Sequence, residues 1–320
     1  MQKTLAKPFS IEGVGLHSGK NFKAVVSPAP IDNGIRFKRA DVKNCDFIRI
    51  TPYNVSSTQL ATTIDCDGLP ISTIEHFSGA FYGMGLDNAN VSVFGPEAPI
   101  LDGSAKDIIE NIVKSGIKEQ NKVRKILKVT RPVSIGLDGK FVEIEPYDGF
   151  EITFSLDYPH PVIGKQSFTY NYSADSFHDE IGIARTFGFK REVEALWSMG
   201  LAKGGSLDNA IVIGDDEGVL NPEGLRAPNE FVRHKILDMF GDLALIGYRL
   251  QGRIKAVKSG HQVNNVFARA LLEADNSYEI IEEQDLTVKT RAGVAHAENK
   301  AKSRGKKPDY FTASISPNAV

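Results

Sequence analysis

The residues with the clearest capacity for chemistry lie in the segment Val232-Arg-His-Lys-Ile-Leu-Asp-Met-Phe-Gly-Asp242. His234, Asp238 and Asp242 are spaced four apart, and at 3.6 residues per turn this spacing places them on one face of a helix. An imidazole and a carboxylate at positions i and i+4 can hold one cation, as the two imidazoles of His-Glu-x-x-His proteases do. Taken alone, the pattern more often indicates a surface histidine in a helical charge pair.

A second segment with chemical potential is Ile71-Ser-Thr-Ile-Glu-His-Phe77. Ser72 followed by Glu75 matches the capping box of a helix start, which gives Glu75 a purely structural interpretation. His76 is a candidate third metal ligand. If it binds a metal, its neighbour Glu75 lies near the metal-bound water and could act as general base, and both roles are compatible.

His261 follows a Ser-Gly turn and is expected on a loop or at the start of a helix, where a histidine is usually only a polar surface residue. Together with Glu75 it supplies one carboxylate and one imidazole, enough for an acid–base pair, but spacing alone does not bring them together. Lys235 points about 100° away from His234 around the helix and by itself is most simply a solvated lysine. The glycine-rich segment Gly13–Gly19 ends no strand-to-helix unit, so we do not interpret it as a phosphate loop.

The elements that must position these groups occur twice along the chain. Runs of alternating apolar and polar residues, broken by Gly, Pro and Asp, predict strands joined by hairpins. The matching runs are Pro8–Ile11, Val25–Pro28 and Gly34–Phe37 in the first half, and Pro132–Ile135, Glu143–Pro146 and Ile152–Phe154 in the second. A helix that carries a histidine follows each set, over about Ser72–Met84 and about Glu230–Ile246. Short strand patterns can match by chance, but the matched helix positions argue for a repeat.

These patterns predict an α+β fold of two similar domains, each with helices packed on antiparallel sheets. We expect residues 1–122 to form the first repeat, with the boundary in the polar segment Lys118–Lys125, and residues 123–295 to form the second. The second repeat contains an insertion between about Tyr158 and Gly214, including a candidate helix at Lys190–Trp197. Residues 296–320 form a polar tail with five basic residues between Lys300 and Lys307, expected to be solvated.

Composition excludes several classes of protein. Among 320 residues, 38 Lys and Arg oppose 40 Asp and Glu, and this balance argues against a nucleic-acid partner. The first residues lack the apolar core of a signal peptide, and no apolar run is long enough to span a bilayer. The two cysteines, Cys45 and Cys66, exclude a disulfide framework and an all-cysteine metal site, and they suit the reducing cytoplasm. No feature demands an oligomer, so a monomer is expected.

Taken together, the segments resemble the UDP-3-O-acyl-N-acetylglucosamine deacetylase family of lipid A biosynthesis. The matching motifs run in family order over about residues 2–275. They are Gly13–Gly19, Ser72–His76, Pro99–Ser104, Ala184–Phe189, Gly204–Ser206, Asn209–Val212, Leu220–Asn221, Asn229–Lys235, Asp238, Gly241–Asp242 and Lys258–Gln262. Some members carry cysteines upstream of the Glu-His pair, where this chain has Leu60-Ala-Thr-Thr63, so no thiol role is expected.

The resemblance implies a fold, a reaction and a metal. The fold is two similar α+β domains with the active site between them. The reaction is zinc-dependent hydrolysis of the 2-acetamido group of a UDP-sugar that carries a fatty acyl chain, with Fe²⁺ as the alternative ion. The implied metal ligands are His76, His234 and Asp238.

The resemblance also implies roles for further residues. Glu75 corresponds to the general base, His261 to an imidazolium, and Asp242 to the carboxylate that orients it. Thr186 and Lys235 correspond to groups that assist the substrate and the developing oxyanion. The residues that line the cleft with less certain roles are His17 and Phe187. The acyl passage falls within about Phe187–Val212 and includes Leu196, Met199, Leu201 and Ala202, although an apolar helix face there is as readily core.

Two other functions stay open at the level of sequence. One is a zinc amidohydrolase that acts on another acetamido sugar or on a peptide. The other is a non-catalytic module that binds a sugar nucleotide. Intact Glu75 and His261 disfavour the second, because a pure binding protein needs neither an acid nor a base.

Overall fold

The computed structural model describes residues 1–215 and 218–283, together with the backbone of Phe311–Thr312. The basic cluster predicted between Lys300 and Lys307 lies outside the described residues. Among the helices in the described part of the chain, none is long and apolar enough to cross a membrane.

The first half of the chain forms strands β1 to β10 and helices α1 and α2. The strands are Lys3–Leu5, Phe9–Val14, Asn21–Pro28, Ile35–Arg39, Ile48–Arg49, Val55–Ser57, Thr63–Cys66, Leu69–Ile71, Ala89–Val93 and Ile117–Glu119. The helices are Glu75–Gly83 (α1) and Lys106–Ser115 (α2), and a 3-10 turn forms at Pro52–Asn54.

The second half forms strands β11 to β21 and helices α3 to α6. The strands are Lys125–Val129, Val133–Leu137, Lys140–Glu145, Phe150–Asp157, Lys165–Asn171, Phe187–Phe189, Ile211–Gly214, Gly218–Val219, Arg249–Val257, Tyr278–Glu282 and Phe311–Thr312. The helices are Ala174–Phe177 (α3), Val193–Ser198 (α4), Glu230–Leu243 (α5) and His261–Glu273 (α6), with 3-10 turns at Lys190–Glu192 and Ala244–Ile246 and a π turn at His178–Gly182.

The two halves share one strand order. The first sheet runs β2-β3-β9-β4-β5, and the central path of the second runs β12-β13-β19-β14-β15. Strand β9 is antiparallel to β3 and parallel to β4, and β19 has the same relation to β13 and β14. The predicted α+β class with two similar halves is therefore confirmed, but the prediction of antiparallel sheets is wrong. Both sheets are mixed, because the strand that comes last in each of these two orders, β9 or β19, inserts between two earlier strands that themselves run in opposite directions. Because β10 still pairs with β1 and β11 already pairs with β19, we propose the domain boundary near residue 122.

Helices α1 and α5, one from each half, pack against each other in the interior. All nine residues of α1 are buried, and α5 exposes little beyond Arg233 and Lys235. Two glycines allow this close approach. A Cβ atom on Gly241 of α5 would lie 2.2 Å from the carbonyl oxygen of Glu75, and one on Gly79 of α1 would lie 3.2 Å from the Leu237 carbonyl oxygen. The backbones therefore touch where the first turn of α1 crosses α5.

The start of α1 corrects one prediction. The helix begins at Glu75 and not near Ser72, so the capping box of Ser72 and Glu75 does not form. The reason is that the backbone of Ser72 is bonded elsewhere, with its N–H on the Pro96 carbonyl and its own carbonyl accepting from Ala98. Thr73 then turns the chain through a left-handed conformation with φ of 61°. The carboxylate of Glu75 is left available for the interior of the site.

Candidate active site

Three predicted ligands converge at the crossing of α1 and α5. His76 lies in the first turn of α1, and His234 and Asp238 lie one turn apart on α5. One potential ligand atom from each lies within 4.8 Å of the others, and all three residues are buried. Asp238 Oδ1 is 3.2 Å from His234 Nε2 and 3.8 Å from His76 Nε2. This is the one such His, Cys and carboxylate group found within residues 1–215 and 218–283.

The protonation of this group suits a cation. His234 Nδ1 lies 3.0 Å from the carbonyl oxygen of Ala184, which makes Nδ1 the N–H donor and leaves the Nε2 lone pair facing Asp238. Burial lowers the pKa of His234 to about 3 and also lowers the pKa of His76, so both imidazoles are neutral. Burial acts to raise the pKa of Asp238, but the positive charges of Lys235 and His261 lower it more, so the carboxylate is ionised. Neutral imidazoles and a carboxylate are the donors that a divalent metal needs.

Glu75 lies beside this group with one oxygen held and one facing the cleft. Its Oε2 accepts a hydrogen bond of 3.0 Å from the backbone N–H of Thr62. Its Oε1 lies 4.0 Å from His261 Nε2. Burial raises the pKa of Glu75 to about 7, close to the value that suits a general base at neutral pH.

His261 begins α6, in agreement with the predicted helix start. Its Nδ1 lies 2.9 Å from Asp242 Oδ2, which also accepts a bond of 2.8 Å from the Asn264 amide. Burial acts to lower the pKa of His261, but Asp242 reverses the effect and raises it to about 10. The imidazole is therefore charged at neutral pH. Asp242 serves this imidazole and is not part of the metal group, although it shares the helix face of His234 and Asp238.

One cavity of about 520 Å³ connects these groups. Its wall contains nine of the ten residues singled out from the sequence, and the tenth, Asp242, lies behind His261. The nine are His17, Glu75, His76, Thr186, Phe187, His234, Lys235, Asp238 and His261. One part of the wall is apolar, with Leu16, Ile100, Phe189, Val193, Leu196, Ala202 and Val212. The predicted passage residues Met199 and Leu201 do not line it, and Met199 is 57% exposed, because it follows the end of the short helix α4.

Thr186 is held in the wall by its backbone. Its N–H donates to the Gly103 carbonyl and its carbonyl accepts from Ile211, each at 2.8 Å. The preceding Arg185 is buried and forms an ion pair of 2.9 Å with Glu230 in the first turn of α5. Three consecutive residues therefore have three tasks: Ala184 orients the His234 ring, Arg185 anchors the segment to α5, and Thr186 presents a hydroxyl-bearing side chain to the cavity.

One lysine and one further histidine complete the cleft. Lys235 Nζ donates to Asp238 Oδ2 at 2.8 Å and lies 5.4 Å from the centre of the Phe187 ring. The backbone N–H of His17 donates to Glu97 Oε1 at 2.6 Å, and its buried Nε2 has no hydrogen-bond partner among the described residues. Burial lowers the pKa of His17, with Glu97 acting in the opposite direction.

Sequence reasoning missed several residues that orient the site. These residues bond directly to the predicted site residues. Thr62 bonds to Glu75 and Asp242, and Asn264 bonds to Asp242. The carbonyl of Ala184 bonds to His234. Lys140 and Lys258 line the cleft and add positive charge. No spacing rule links Thr62 to Asp242, which lies 180 residues further on. No local signal marks the three orienting residues, because Thr62 directly precedes strand β7, Asn264 lies inside α6 and Ala184 acts through its backbone carbonyl.

The fold and the site define a class before any comparison. A group of two histidines and one aspartate that could hold a metal ion, beside a carboxylate and a charged imidazole in a cleft between two α+β halves, is the arrangement that a metal-dependent hydrolase would use. The chain belongs to the UDP-3-O-acyl N-acetylglycosamine deacetylase family, whose model matches residues 2–273.

Curated relatives agree with this assignment over most of their length. A UDP-3-O-acyl-N-acetylglucosamine deacetylase of Neisseria meningitidis serogroup C is 44% identical over 290 residues, which cover 89% of this chain and 94% of the relative. The protein of that name from Nitratidesulfovibrio vulgaris is 47% identical over 277 residues, covering 87% and 89%. The one from Geobacter sp. strain M21 is 46% identical over 281 residues, covering 88% and 92%.

Proposed function

We propose that this protein removes the acetyl group from the 2-acetamido position of a UDP-linked, 3-O-acylated N-acetylglucosamine in lipid A biosynthesis. The products are acetate and the free amine. The observation that carries the proposal is the pair formed by Glu75 and His261, 4.0 Å apart, beside the buried group of His76, His234 and Asp238. The names of the relatives supply the substrate, and the apolar part of the cavity agrees with an acyl chain.

The ligand set fits zinc. Two neutral imidazoles and one carboxylate are the three-ligand set of several catalytic zinc sites, and Fe²⁺ accepts the same donors. When bound in this way with one position open, the ion acidifies a water molecule and polarises a carbonyl.

Glu75 and His261 divide the proton transfers. The Oε1 atom of Glu75 takes the proton from the attacking water, since a pKa of about 7 leaves about half of these groups ionised at neutral pH and makes the carboxylate more basic than an exposed one. His261, charged because of Asp242, donates its Nε2 proton to the nitrogen that leaves as the amine. Thr186 and Lys235 face the same cavity and stabilise negative charge on the carbonyl oxygen, a role typically worth about 2.7–4 kcal/mol per donor.

Different parts of the cavity wall suit different parts of such a substrate. The aliphatic wall that includes Leu196, Ala202 and Val212 suits the acyl chain, with each buried CH₂ worth about 0.8 kcal/mol. Lys140 and Lys258 in the same wall suit the diphosphate.

Both cysteines, Cys45 and Cys66, are free thiols, which supports our expectation of a reducing cytoplasm.

The test is acetate release from acylated and non-acylated UDP-N-acetylglucosamine by the metal-loaded protein. We expect turnover of the acylated sugar, with Glu75→Gln and His261→Gln each losing at least about 10²-fold in kcat. Glu110→Gln, an exposed change on α2, is the matched control. Equal turnover of a broad panel of acetamido sugars would favour a general amidohydrolase. Binding of the nucleotide without release of acetate would favour the non-catalytic module.

A further inference from the structure

Thr62 bonds to three groups of the site at once. It directly precedes β7 and is 2% exposed. Its backbone N–H donates to Glu75 Oε2 at 3.0 Å, and its hydroxyl donates to Asp242 Oδ1 at 2.5 Å. The same hydroxyl oxygen lies 3.2 Å from His261 Nδ1.

The bonds from Thr62 occupy one carboxylate oxygen of Glu75 and one of Asp242, and the second oxygen of each carboxylate faces His261. With Oε2 of Glu75 held by Thr62, Oε1 is the atom that faces His261. With Oδ1 of Asp242 held by the hydroxyl, Oδ2 accepts from His261 Nδ1 and from Asn264. Because the hydroxyl hydrogen is directed at Asp242, a lone pair of the Thr62 oxygen faces the Nδ1–H of His261 and supports the same ring orientation.

The bonds also join the two halves of the molecule. Thr62 and Glu75 belong to the first half, while Asp242 and His261 lie on α5 and α6 of the second. The carbonyl of Thr62 accepts from the N–H of Ile74, the residue before α1, so Thr62 is fixed to the helix that carries Glu75. A displacement of the second half relative to the first would therefore strain the hydroxyl bond before it separated the base from the acid.

We propose that Thr62 is a positioning residue that sets the spacing and orientation of Glu75 and His261. The proposal rests on the proposed function, in which these two side chains move the protons. The side-chain hydrogen bonds of Thr62 go to Asp242 and His261 and not to His76, His234 or Asp238, and Thr62 does not line the cavity, so it acts through the groups that it holds.

The decisive variant is Thr62→Val, which removes the hydroxyl and keeps the backbone bond to Glu75. We expect kcat to fall by about 10- to 100-fold, which corresponds to about 1.4–2.7 kcal/mol of activation free energy, with KM changed less than about twofold. Thr62→Ser restores the hydroxyl and should recover kcat to within about threefold. Thr63→Val makes the same change one residue further on and should leave both constants unaltered.

A second readout is independent of turnover. In protein labelled with ¹⁵N-histidine, the Nδ1–H of His261, assigned by its loss in His261→Gln, should exchange slowly with water. We expect rapid exchange in Thr62→Val and slow exchange in Thr62→Ser and Thr63→Val. If Thr62→Val does not fold, Thr62→Ala makes the same comparison. A Thr62→Val enzyme with unchanged kcat and a slowly exchanging proton overturns the proposal. A wild-type protein that releases no acetate rejects the proposed function instead, and the exchange measurement still decides the orienting role of Thr62.

Discussion

Replacing Gly241 by alanine tests whether the contact between α1 and α5 sets the geometry of the site. The added Cβ would lie 2.2 Å from the carbonyl oxygen of Glu75 and 2.8 Å from its carbonyl carbon and Cα. All three are backbone atoms, so no side-chain rotation relieves the overlap. Ordinary contact begins at 3.4 Å, and the two helices must therefore move apart by about 1.2 Å.

We expect this displacement to lower the catalytic rate more than the free energy of unfolding. Glu75 and His76 lie on α1, while His234 and Asp238 lie on α5. Separating the helices therefore moves His76 away from His234 and Asp238 and displaces Glu75 by a similar distance. A misplacement of about 1 Å costs about 10²-fold in rate, and we expect that loss in kcat/KM with weaker metal retention. Overpacking lowers the free energy of unfolding by about 1–3 kcal/mol. Alanine has a higher helix propensity than glycine, which offsets up to about 1 kcal/mol of this loss.

The measurement compares a graded series of glycine replacements. Acetate release, metal content after dialysis against a chelator, and Tm are recorded for each variant. In Gly79→Ala the new Cβ lies 3.2 Å from atoms of Leu237, and in Gly136→Ala the nearest atom is 3.9 Å away. We expect a small loss for the first and none for the second. A Gly241→Ala enzyme with wild-type kcat/KM and metal content would refute the reasoning.

Three further predictions concern protons, metal and substrate. Because Asp242 raises the pKa of His261 to about 10 and the charged imidazole is the active form, Asp242→Asn should move the alkaline limb of the kcat/KM profile to lower pH; a limb that stays in place contradicts the assignment. Chelation should abolish acetate release and added zinc should restore it, whereas His76→Ala should stay inactive at the same zinc concentration. Shortening the acyl chain by four CH₂ groups should lower kcat/KM by about 10²-fold, from ~3 kcal/mol of lost burial; equal turnover of both chain lengths counts against the apolar passage.

The features that could be predicted from the sequence are those that follow from local periodicity. The alternation of apolar and polar residues in runs such as Pro8–Ile11 and Pro132–Ile135 was enough to predict the repeated strands, because each strand has one face on the core. The spacing of His234 and Asp238 sufficed for their shared helix face. Helix α5 then runs over Glu230–Leu243 and continues as a 3-10 turn to Ile246, close to the predicted end.

The errors arose where long-range contacts override a local motif. Ser72 and Glu75 have the spacing of a capping box, yet the bonds of Ser72 to the chain at Pro96 and Ala98 keep it extended. Met199 belongs to an apolar run but lies beyond the last turn of α4 and faces solvent. The orienting bonds of Thr62 depend on how two distant halves dock, and no pattern within either half encodes that docking.

The charges buried at the crossing of α1 and α5 explain why these residues form a site and not merely a core. Glu75, Asp238 and Asp242 are buried carboxylates, while Lys235 and His261 are the cations that pair with them. With Glu75 ionised, three negative charges face two positive ones in a region where unpaired charge is costly. A divalent ion held by Asp238 would reverse this balance to a net positive charge, which would favour an ionised Glu75 and an anionic substrate. His76 on α1 and His234 on α5 would hold the same ion, so metal binding and the docking of the two halves would stabilise each other.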